Sequence, residues 1–317
     1  MAAPASPDAI RDVNTRYHDA AAAEYDHKWG IDFHGIGQGQ VLGKLRKALG
    51  RRDVGHFPRA LEIGAGTGYF SLNLLRAGVI GHATCTDISP GMLATLDRNA
   101  RRLGLAGRVE SVATDAERLP FDDESFDLVL GHAVLHHLPD LDQAFSEFRR
   151  VLRPGGTVVF AGEPSRHGDR IAAYPKRGAL RVSPLWRRLM RARPAHHGDD
   201  GGASNGHAPE ATRRLDGHAL EPFVDVHAFD PPMLREFAVR AGFADVKVRG
   251  EELLANWFGW ANRTLESTAE PESVPWMWRQ YAYRGYIALQ AVDRALLEPR
   301  LPAAIFYNLI IAARKPE

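Results

Sequence analysis

A glycine-rich segment early in the chain has the residue types and spacing of a ligand-binding turn. The mostly apolar run 60–63 leads into Gly64, Gly66 and Gly68, which alternate with two other residues. Because glycine has no Cβ, it lets the backbone pass very close to a ligand. A helix that begins after such a turn presents unpaired N–H groups and the positive end of its dipole. The segment therefore predicts a site that holds a small polar ligand against bare backbone.

Acidic residues stand where the neighbouring strands are expected to end. Glu62 lies near the end of the run that enters the turn, Asp87 ends the next apolar run, and Asp115 follows the third. In an open parallel sheet, ligands bind beyond the carboxyl ends of the strands. A carboxylate after strand two can accept ribose hydroxyl protons, and one after strand three can reach an adenine amino group. These positions predict a pocket for an adenosine with a charged tail.

The elements that must position these residues alternate between strand and helix over 58–163. Strands are predicted at 60–63, 82–87, 109–113, 126–130 and 157–161, and helices at 69–77, after Ser89 and over 141–152. Ser89 followed by Pro90 is typical of a helix start. This alternation predicts a parallel sheet with helices on both faces.

Helices are also predicted on both sides of this region. The first two are marked by residues that share one face, Val13, Tyr17, Ala21 and Tyr25 within 8–27, and Leu42, Leu45 and Leu49 in the next. Gly30, Gly35, Gly37 and Gly39 predict a flexible link between them. Beyond residue 164 the chain predicts a basic helical stretch at 165–193, a mobile loop at 195–218, a helix at 234–241, a strand at 246–249, a helical aromatic-rich segment at 251–300 and a strand at 305–312.

Four motifs in order make the chain resemble the class I S-adenosylmethionine-dependent methyltransferases, particularly the branch of ubiquinone/menaquinone-biosynthesis enzymes and small-molecule methyltransferases. They are LEIGAGTGYFSLNLL, TDISPGML, TDAERLPFDDESFDLVL and HAVLHHLPDLDQAFSEFRRVLRPGG. The glycine spacing is G-x-G-x-G, whereas dinucleotide-binding turns have G-x-G-x-x-G. The resemblance covers about residues 58–163 and weakens after 165.

The resemblance implies a fold, a cofactor and a set of cofactor-binding residues. The fold is α/β and Rossmann-like, with a seven-stranded, mostly parallel sheet of order 3-2-1-4-5-7-6 whose final strand is antiparallel. The cofactor is S-adenosyl-L-methionine. Its expected ligands are Glu62, Gly64, Ala65, Gly66, Gly68, Asp87, Ile88, Met92, Asp115, Ala116 and His132.

Four segments are expected. They are an N-terminal helical cap at 1–50, a cofactor-binding core at 51–164, a basic helix and mobile loop inserted at 165–230, and the end of the core sheet at 231–317 with an aromatic-rich helical insertion before the last strand at 251–300.

Candidate catalytic residues follow the fourth strand, where the family places residues that face the methyl acceptor. Histidine titrates near neutrality, which suits a general base. His136 is the first candidate and His132 the second, ahead of His137. Tyr25 of the N-terminal helix is either a further catalytic residue or part of the core. Glu163 is a candidate to bind the acceptor or to orient a histidine.

The second half of the chain predicts the acceptor side. The 165–193 stretch interleaves arginines with apolar residues, which fits a solvated helix, a lid over an acidic acceptor or a helix on an anionic membrane. Residues 257–286 hold four of the six tryptophans, which fits the wall of a large apolar pocket or a dimer interface. The sequence is therefore compatible with a monomer and with a homodimer.

Composition excludes several classes. A net charge of +1 gives no global attraction to nucleic acid. With Cys85 as the only cysteine, no intrachain disulfide forms, which fits a cytoplasmic protein. No transmembrane helix, signal peptide or metal site is expected.

These observations favour methyl transfer from S-adenosylmethionine to a small-molecule acceptor. Oxygen is favoured over carbon or nitrogen, and the acceptor is expected to be a hydrophobic or aromatic metabolite, or a lipid or glycolipid precursor. The alternatives are a C- or N-methyltransferase of the same fold, a nicotinamide-dependent reductase, and a non-catalytic ligand-binding protein of the methyltransferase fold.

Overall fold

A computed structural model of the chain describes residues 6–26, 30–195, 220, 224 and 226–317. The described residues divide into two compact units. The first comprises those of 6–163, 220–249 and 310–317, and the second those of 164–195 and 250–309. Apart from Ala195, the predicted loop at 195–218 lies outside the described residues.

A seven-stranded sheet organises the chain and has the order β3-β2-β1-β4-β5-β7-β6. Its strands are β1 (Phe57–Ile63), β2 (Ile80–Asp87), β3 (Val109–Ala113), β4 (Phe126–His132), β5 (Leu152–Pro164), β6 (Ala244–Glu251) and β7 (Asn308–Arg314). β1 to β5 pair in parallel. Gly155 N–H donates to the Lys315 carbonyl, and Ser165 N–H donates to the Tyr307 carbonyl. Residue numbers therefore rise along β5 as they fall along β7, and the predicted order and antiparallel final strand are confirmed.

Nine helices of the described chain flank or follow these strands. They are α1 (Pro7–Ala21), α2 (Gly35–Leu49), α3 (Tyr69–Arg76), α4 (Pro90–Arg102), α5 (Leu141–Val151), α6 (Arg166–Met190), α7 (Pro231–Arg240), α8 (Leu254–Ser267) and α9 (Trp276–Val292). The Ser89 hydroxyl accepts the Met92 N–H, so the predicted cap of α4 is confirmed. Phe70 and Leu72 of α3 pack in the core of the first unit, and Phe148 of α5 lies against Phe160 of β5.

The predicted flexible link is wrong for three of its four glycines, because Gly35 begins α2 and Gly37 and Gly39 lie inside it, whereas Gly30 precedes it. The carboxylate of Asp32 accepts the N–H groups of His34 and Gly37, which satisfies donors at the helix start. A Cβ on Gly37 would lie 1.8 Å from the carbonyl oxygen of Asp32. Glycine is needed at position 37 because the Asp32 backbone lies so close, and not because the chain must be flexible there.

The second unit has a small core between α6, α8 and α9. Trp186 of α6 contacts Trp278 of α9 edge-on, with ring centroids 5.3 Å apart, and Leu265 of α8 belongs to the same cluster. The fully buried carboxylate of Asp293 accepts the N–H groups of Leu253, Leu254 and Ala255 at the start of α8. None of the described helices is long and apolar enough to cross a membrane.

Candidate cofactor and acceptor site

A cleft of about 730 Å³, including its open mouth, lies in the first unit at the carboxyl ends of the parallel strands. The β1–α3 turn, the end of β2, the segment after β3, the loop after β4 and α1 all contribute to its lining. Eight of the predicted site residues line this cleft, namely Tyr25, Gly64, Gly66, Asp87, Ile88, Asp115, Ala116 and His132.

The glycine turn forms one wall, and its glycines serve different purposes. Gly64 and Gly66 have φ angles of 59° and 52°, in the left-handed region that glycine tolerates. A Cβ on Gly64 would lie 2.3 Å from the Val134 side chain, so this glycine permits close packing. A Cβ on Gly66 would meet no atom within 4 Å. Gly66 therefore offers bare backbone to the cleft.

The Asp87 carboxylate lies beside this backbone at the end of β2. Its Oδ2 accepts the Gly66 N–H at 2.8 Å, and its Oδ1 accepts the Ser89 N–H at 2.9 Å. Burial raises the pKa of Asp87, while His18 and the two N–H groups act in the opposite direction. The remaining lone pairs of this carboxylate can accept hydroxyl protons from a ligand in the cleft.

The Asp115 carboxylate is engaged by α1. Its Oδ1 accepts the Glu117 N–H at 2.9 Å, and its Oδ2 lies 2.7 Å from Nε of Arg11. Arg11 also pairs with Glu117 and lines the cleft. Arg11 thus connects α1 to the segment after β3, and an incoming amino group would meet a carboxylate that is already paired.

Five predicted site residues do not line the cleft: Glu62, Ala65, Gly68, Met92 and His136. Met92 is fully buried, because it lies on the inward face of the first turn of α4. Glu62 is buried and accepts the Ser71 N–H of α3. Burial raises the pKa of Glu62 to about 8. Glu62 thus holds the start of α3, and both side chains are buried outside the lining of the cleft.

The loop after β4 is held by one buried carboxylate. Glu163 accepts the N–H groups of Val134 and Leu135 through Oε1, and those of the His136 backbone and Nδ1 through Oε2. The Nδ1–Oε2 distance is 2.8 Å, and the Glu163 side chain has no exposed surface. His136 was expected to face the acceptor, but its buried ring is held by Glu163 and does not line the cleft.

His137, the next residue, lines the cleft instead. Its Nδ1 lies 2.9 Å from the carbonyl oxygen of Val224, which can only accept a hydrogen bond, so Nδ1 carries the proton. Nε2 is then the basic nitrogen of the neutral ring. Burial lowers the pKa of His137 well below its ordinary value, and the neighbouring His136 and His18 act in the same direction.

Two other predicted catalytic residues, His132 and Tyr25, line the cleft. The His132 ring stacks on Phe70 with centroids 5.0 Å apart and contacts Tyr69 edge-on. Tyr25 is largely buried, and burial, assisted by the charge of Asp87, raises the pKa of its hydroxyl. The hydroxyl stays protonated at neutral pH, which suits hydrogen-bond donation and not proton removal.

Three polar residues of α1 reach the cleft although the sequence analysis did not select them. Arg11, Asn14 and His18 all line it. Their spacing of three and four residues places them on one helical face. The sequence therefore contains these cleft residues as a polar stripe along α1. Among the described residues, no group of three histidine, cysteine or acidic side chains could hold a metal ion.

Residues 61–160 match a family model described as a methyltransferase domain. This stretch contains the glycine turn, Asp87, Asp115 and the loop with His136 and His137. Residues 61–160 thus form a methyltransferase domain similar to those of class I S-adenosylmethionine-dependent enzymes. This match argues against the alternative function of a nicotinamide-dependent reductase.

Relatives within the family methylate different atoms. The chain is 36% identical over 146 residues to malonyl-[acyl-carrier protein] O-methyltransferase of Halorhodospira halophila, covering 46% of each chain. It is 38% identical over 102 residues to the ubiquinone/menaquinone biosynthesis C-methyltransferase UbiE of Bartonella tribocorum, covering 32% of this chain and 39% of the relative. The alignment thus spans less than half the length of these curated relatives.

A solved structure shares the fold over most of the chain. It is phosphoethanolamine N-methyltransferase 2 of Haemonchus contortus, in complex with phosphomonomethylethanolamine and S-adenosylhomocysteine. The TM-score is 0.57 at 18% sequence identity, and the match covers 97% of this chain and 60% of that one. At this identity the likeness establishes the methyltransferase fold and leaves the acceptor open.

Proposed function

We propose that this protein transfers a methyl group from S-adenosylmethionine to a hydroxyl group of a small-molecule acceptor. The observation that carries the proposal is the joint presence of Gly66, Asp87 and a neutral His137 in the lining of one cleft. The first two residues suit a nucleoside, and the third suits proton removal from an acceptor. Residues suited to binding the methyl donor and to removing the acceptor proton thus line the same cleft.

The cleft residues fit the cofactor. Gly66 gives bare backbone, and Asp87 can accept ribose hydroxyl protons. Ile88 and Ala116 add apolar surface from the ends of neighbouring strands. When bound, S-adenosylmethionine supplies a methyl group that is already activated for displacement. The protein then has to orient an acceptor, which can contribute about 7–11 kcal/mol to lowering the barrier.

We infer that His137 is the general base and that His136 positions it. Nε2 of His137 is the nitrogen that would take the acceptor hydroxyl proton, since Nδ1–H is committed to the Val224 carbonyl. The His136 ring lies against the His137 ring, with centroids 4.0 Å apart, and is itself fixed by Glu163. A placed base contributes about 10²–10⁴ in rate.

Tyr25 is assigned a donor role in this proposal. Its raised pKa keeps the hydroxyl protonated, so it can donate a hydrogen bond to the acceptor oxygen. Asn14 and His18 of α1 add polar groups on the same side, while Leu138 and Pro139 add apolar surface. This mixture favours a hydrophobic or aromatic metabolite, or a lipid or glycolipid precursor, with one reactive hydroxyl.

C- and N-methylation are the second candidates, supported by the C- and N-methyltransferases among the similar proteins. An amine acceptor can lose its proton to solvent, whereas a hydroxyl needs a base. The neutral His137 in the cleft therefore favours oxygen. A cytoplasmic location is proposed on composition alone, from the single cysteine.

Two measurements test the proposal. Titration calorimetry should detect binding of S-adenosylmethionine to the full chain, with weaker binding by Asp87→Ala. A screen of hydroxyl, amine and activated-carbon acceptors with methyl-labelled cofactor should then give labelled product from a hydroxyl acceptor. Cofactor binding without any labelled product would favour the non-catalytic alternative, and label on nitrogen or carbon would reassign the reaction.

A further inference from the structure

Exposed apolar side chains are concentrated in the second unit. Of the 14 large apolar residues that are exposed in the described chain, Ile36 and Val239 belong to the first unit. The other twelve are Tyr174, Leu180, Val182, Leu185, Leu189, Trp276, Met277, Tyr281, Tyr283, Val292, Leu296 and Leu301. Scattered exposed residues are normal on a soluble surface, but such a concentration indicates an interaction surface.

An exposed apolar stripe runs along α6. Tyr174, Val182, Leu185 and Leu189 are separated by eight, three and four residues, so they share one side of the helix. They are 73%, 52%, 60% and 68% exposed. The core-facing side of α6 is different and carries residues such as Trp186. The apolar stripe is therefore additional to the side that packs in the second unit.

A basic strip lies next to the apolar stripe. Arg170, Arg177, Arg181 and Arg188 are exposed and are separated by seven, four and seven residues, which places them on a neighbouring side of α6. Over 164–195 the chain has nine arginines and lysines and a single acid, Asp169. This local charge is concealed by the net charge of +1 of the whole chain.

We propose that α6 binds an anionic lipid surface through its apolar stripe and its basic strip. A helix with leucines beside arginines lies in a membrane interface, where the leucines enter the acyl boundary and the arginines meet anionic headgroups. The positive charge favours this occupant over a second copy of the chain, whose own arginines would be brought close by a symmetric contact.

The α9 helix supports the same partner independently. Gln290 is its one buried residue, whereas Trp276 and Tyr281 are 70% and 55% exposed and Met277 is 75% exposed. Tryptophan and tyrosine are favoured at a membrane interface because their rings have an apolar body and a polar edge. Binding to lipid would not require methyl transfer, so this inference stands apart from the proposed function.

Sedimentation with vesicles tests the proposal with the full chain. Wild-type protein should pellet with phosphatidylcholine vesicles that contain phosphatidylglycerol, and pellet much less with phosphatidylcholine alone. Raising salt from about 0.05 to 0.2 M should weaken binding, because exposed charges are screened. Leu185→Glu combined with Leu189→Glu should lower the partition coefficient at least about tenfold, since both side chains then keep a charge at the interface. Val239→Glu, which changes an apolar residue that is 50% exposed in the first unit, should leave binding unchanged.

A charge-removal variant separates the two contributions. Replacing Arg177, Arg181 and Arg188 with glutamine should lower binding about a hundredfold, from about 1 kcal/mol per cation near the surface. The matched control replaces Arg52, Arg76 and Arg101, which are exposed in the first unit. If the leucine variant fails to fold, the arginine variant decides. Vesicle binding that is unchanged by the arginine substitutions and by salt would overturn the proposal. A wild-type dimer that the leucine substitutions convert to monomers would also overturn it.

Discussion

Nδ1 of His136 lies 2.8 Å from Oε2 of Glu163, whereas the neighbouring His137 lines the cleft. The carboxylate also accepts the Val134 and Leu135 N–H groups. One buried residue at the end of β5 thereby fixes both the path of the loop after β4 and the orientation of its first paired histidine. The arrangement implies distinct consequences for substitutions of His137 and of Glu163.

Removing His137 should slow catalysis without weakening cofactor binding. His137→Ala is expected to lower turnover of a hydroxyl acceptor about 100-fold or more, because the acceptor proton loses its base. The dissociation constant of S-adenosylmethionine should change less than about twofold. Steady-state kinetics and titration calorimetry provide the two numbers. His82→Ala, on an exposed position of β2, serves as the matched control. An unchanged turnover of His137→Ala would exclude this residue as the base.

The acid limb of the pH–rate profile should lie below pH 6.5. Burial lowers the pKa of His137, so the ring remains neutral and able to accept a proton at mildly acid pH. The unfolded chain, with an ordinary histidine, binds more protons just below pH 6.5, and stability therefore falls as pH decreases from there. In His137→Gln, the pH dependence of the free energy of unfolding should flatten in that range. A rate profile whose acid limb lies above pH 7 would contradict the assignment.

Glu163 should affect stability and catalysis in separable ways. Glu163→Ala leaves the buried N–H groups of Val134 and Leu135 without acceptors, so we expect a loss on the order of 3 kcal/mol in the free energy of unfolding. Glu163→Gln keeps one carbonyl oxygen for these groups and should lose about half as much. In Glu163→Gln, kcat should still fall because Oε2 no longer fixes His136. Urea unfolding and kinetics measure the two effects, and equal stability of both variants would refute the anchoring role.

The parts of the site that local spacing determines could be predicted from sequence. Gly66 and Asp87 were identified because a glycine turn and a strand-end acid have characteristic neighbours in the chain. Which of His136 and His137 lines the cleft does not follow from the sequence, because their ring contacts are with Glu163, 27 residues away, and with the Val224 carbonyl. Such partners are brought together by tertiary structure and leave no trace in the spacing of adjacent histidines.

Side-chain contacts that the sequence pattern does not reveal also explain why Arg11 and the start of α2 were not predicted. Arg11 contacts Asp115 from a helix that is distant in sequence, and its polar stripe resembles an ordinary solvated helix face. Gly37 has a low intrinsic preference for helix, which favoured a loop in the prediction. The carboxylate of Asp32 supplies the capping hydrogen bonds that override this preference. A long-range ion pair thus accounts for the missed cleft residue, whereas local hydrogen bonds to the Asp32 side chain account for the wrong link.

Removing the Asp87 carboxylate should weaken the cofactor without unfolding the chain. In Asp87→Asn, one oxygen still accepts a backbone N–H, but the charge that would hold the ribose hydroxyls is lost. We expect affinity for S-adenosylmethionine to fall about 10- to 100-fold, the range for hydrogen bonds to a charged group. Asp122→Asn, an exposed substitution in the same unit, is the control for calorimetry. Wild-type affinity in Asp87→Asn would remove this residue from the cofactor site.

The buried Glu62 predicts a loss of stability as pH rises from about 4.5 to about 8. Burial raises its pKa to about 8, whereas an unfolded glutamate titrates near 4.5. The folded chain therefore binds the extra proton between these values, and this contribution to stability is lost as pH rises through about 8. Glu62→Gln cannot ionise and keeps an oxygen for the Ser71 N–H. Thermal unfolding between about pH 5 and 8 should show a shallower decline for Glu62→Gln than for wild type. Parallel declines would mean that Glu62 is ionised in the folded protein.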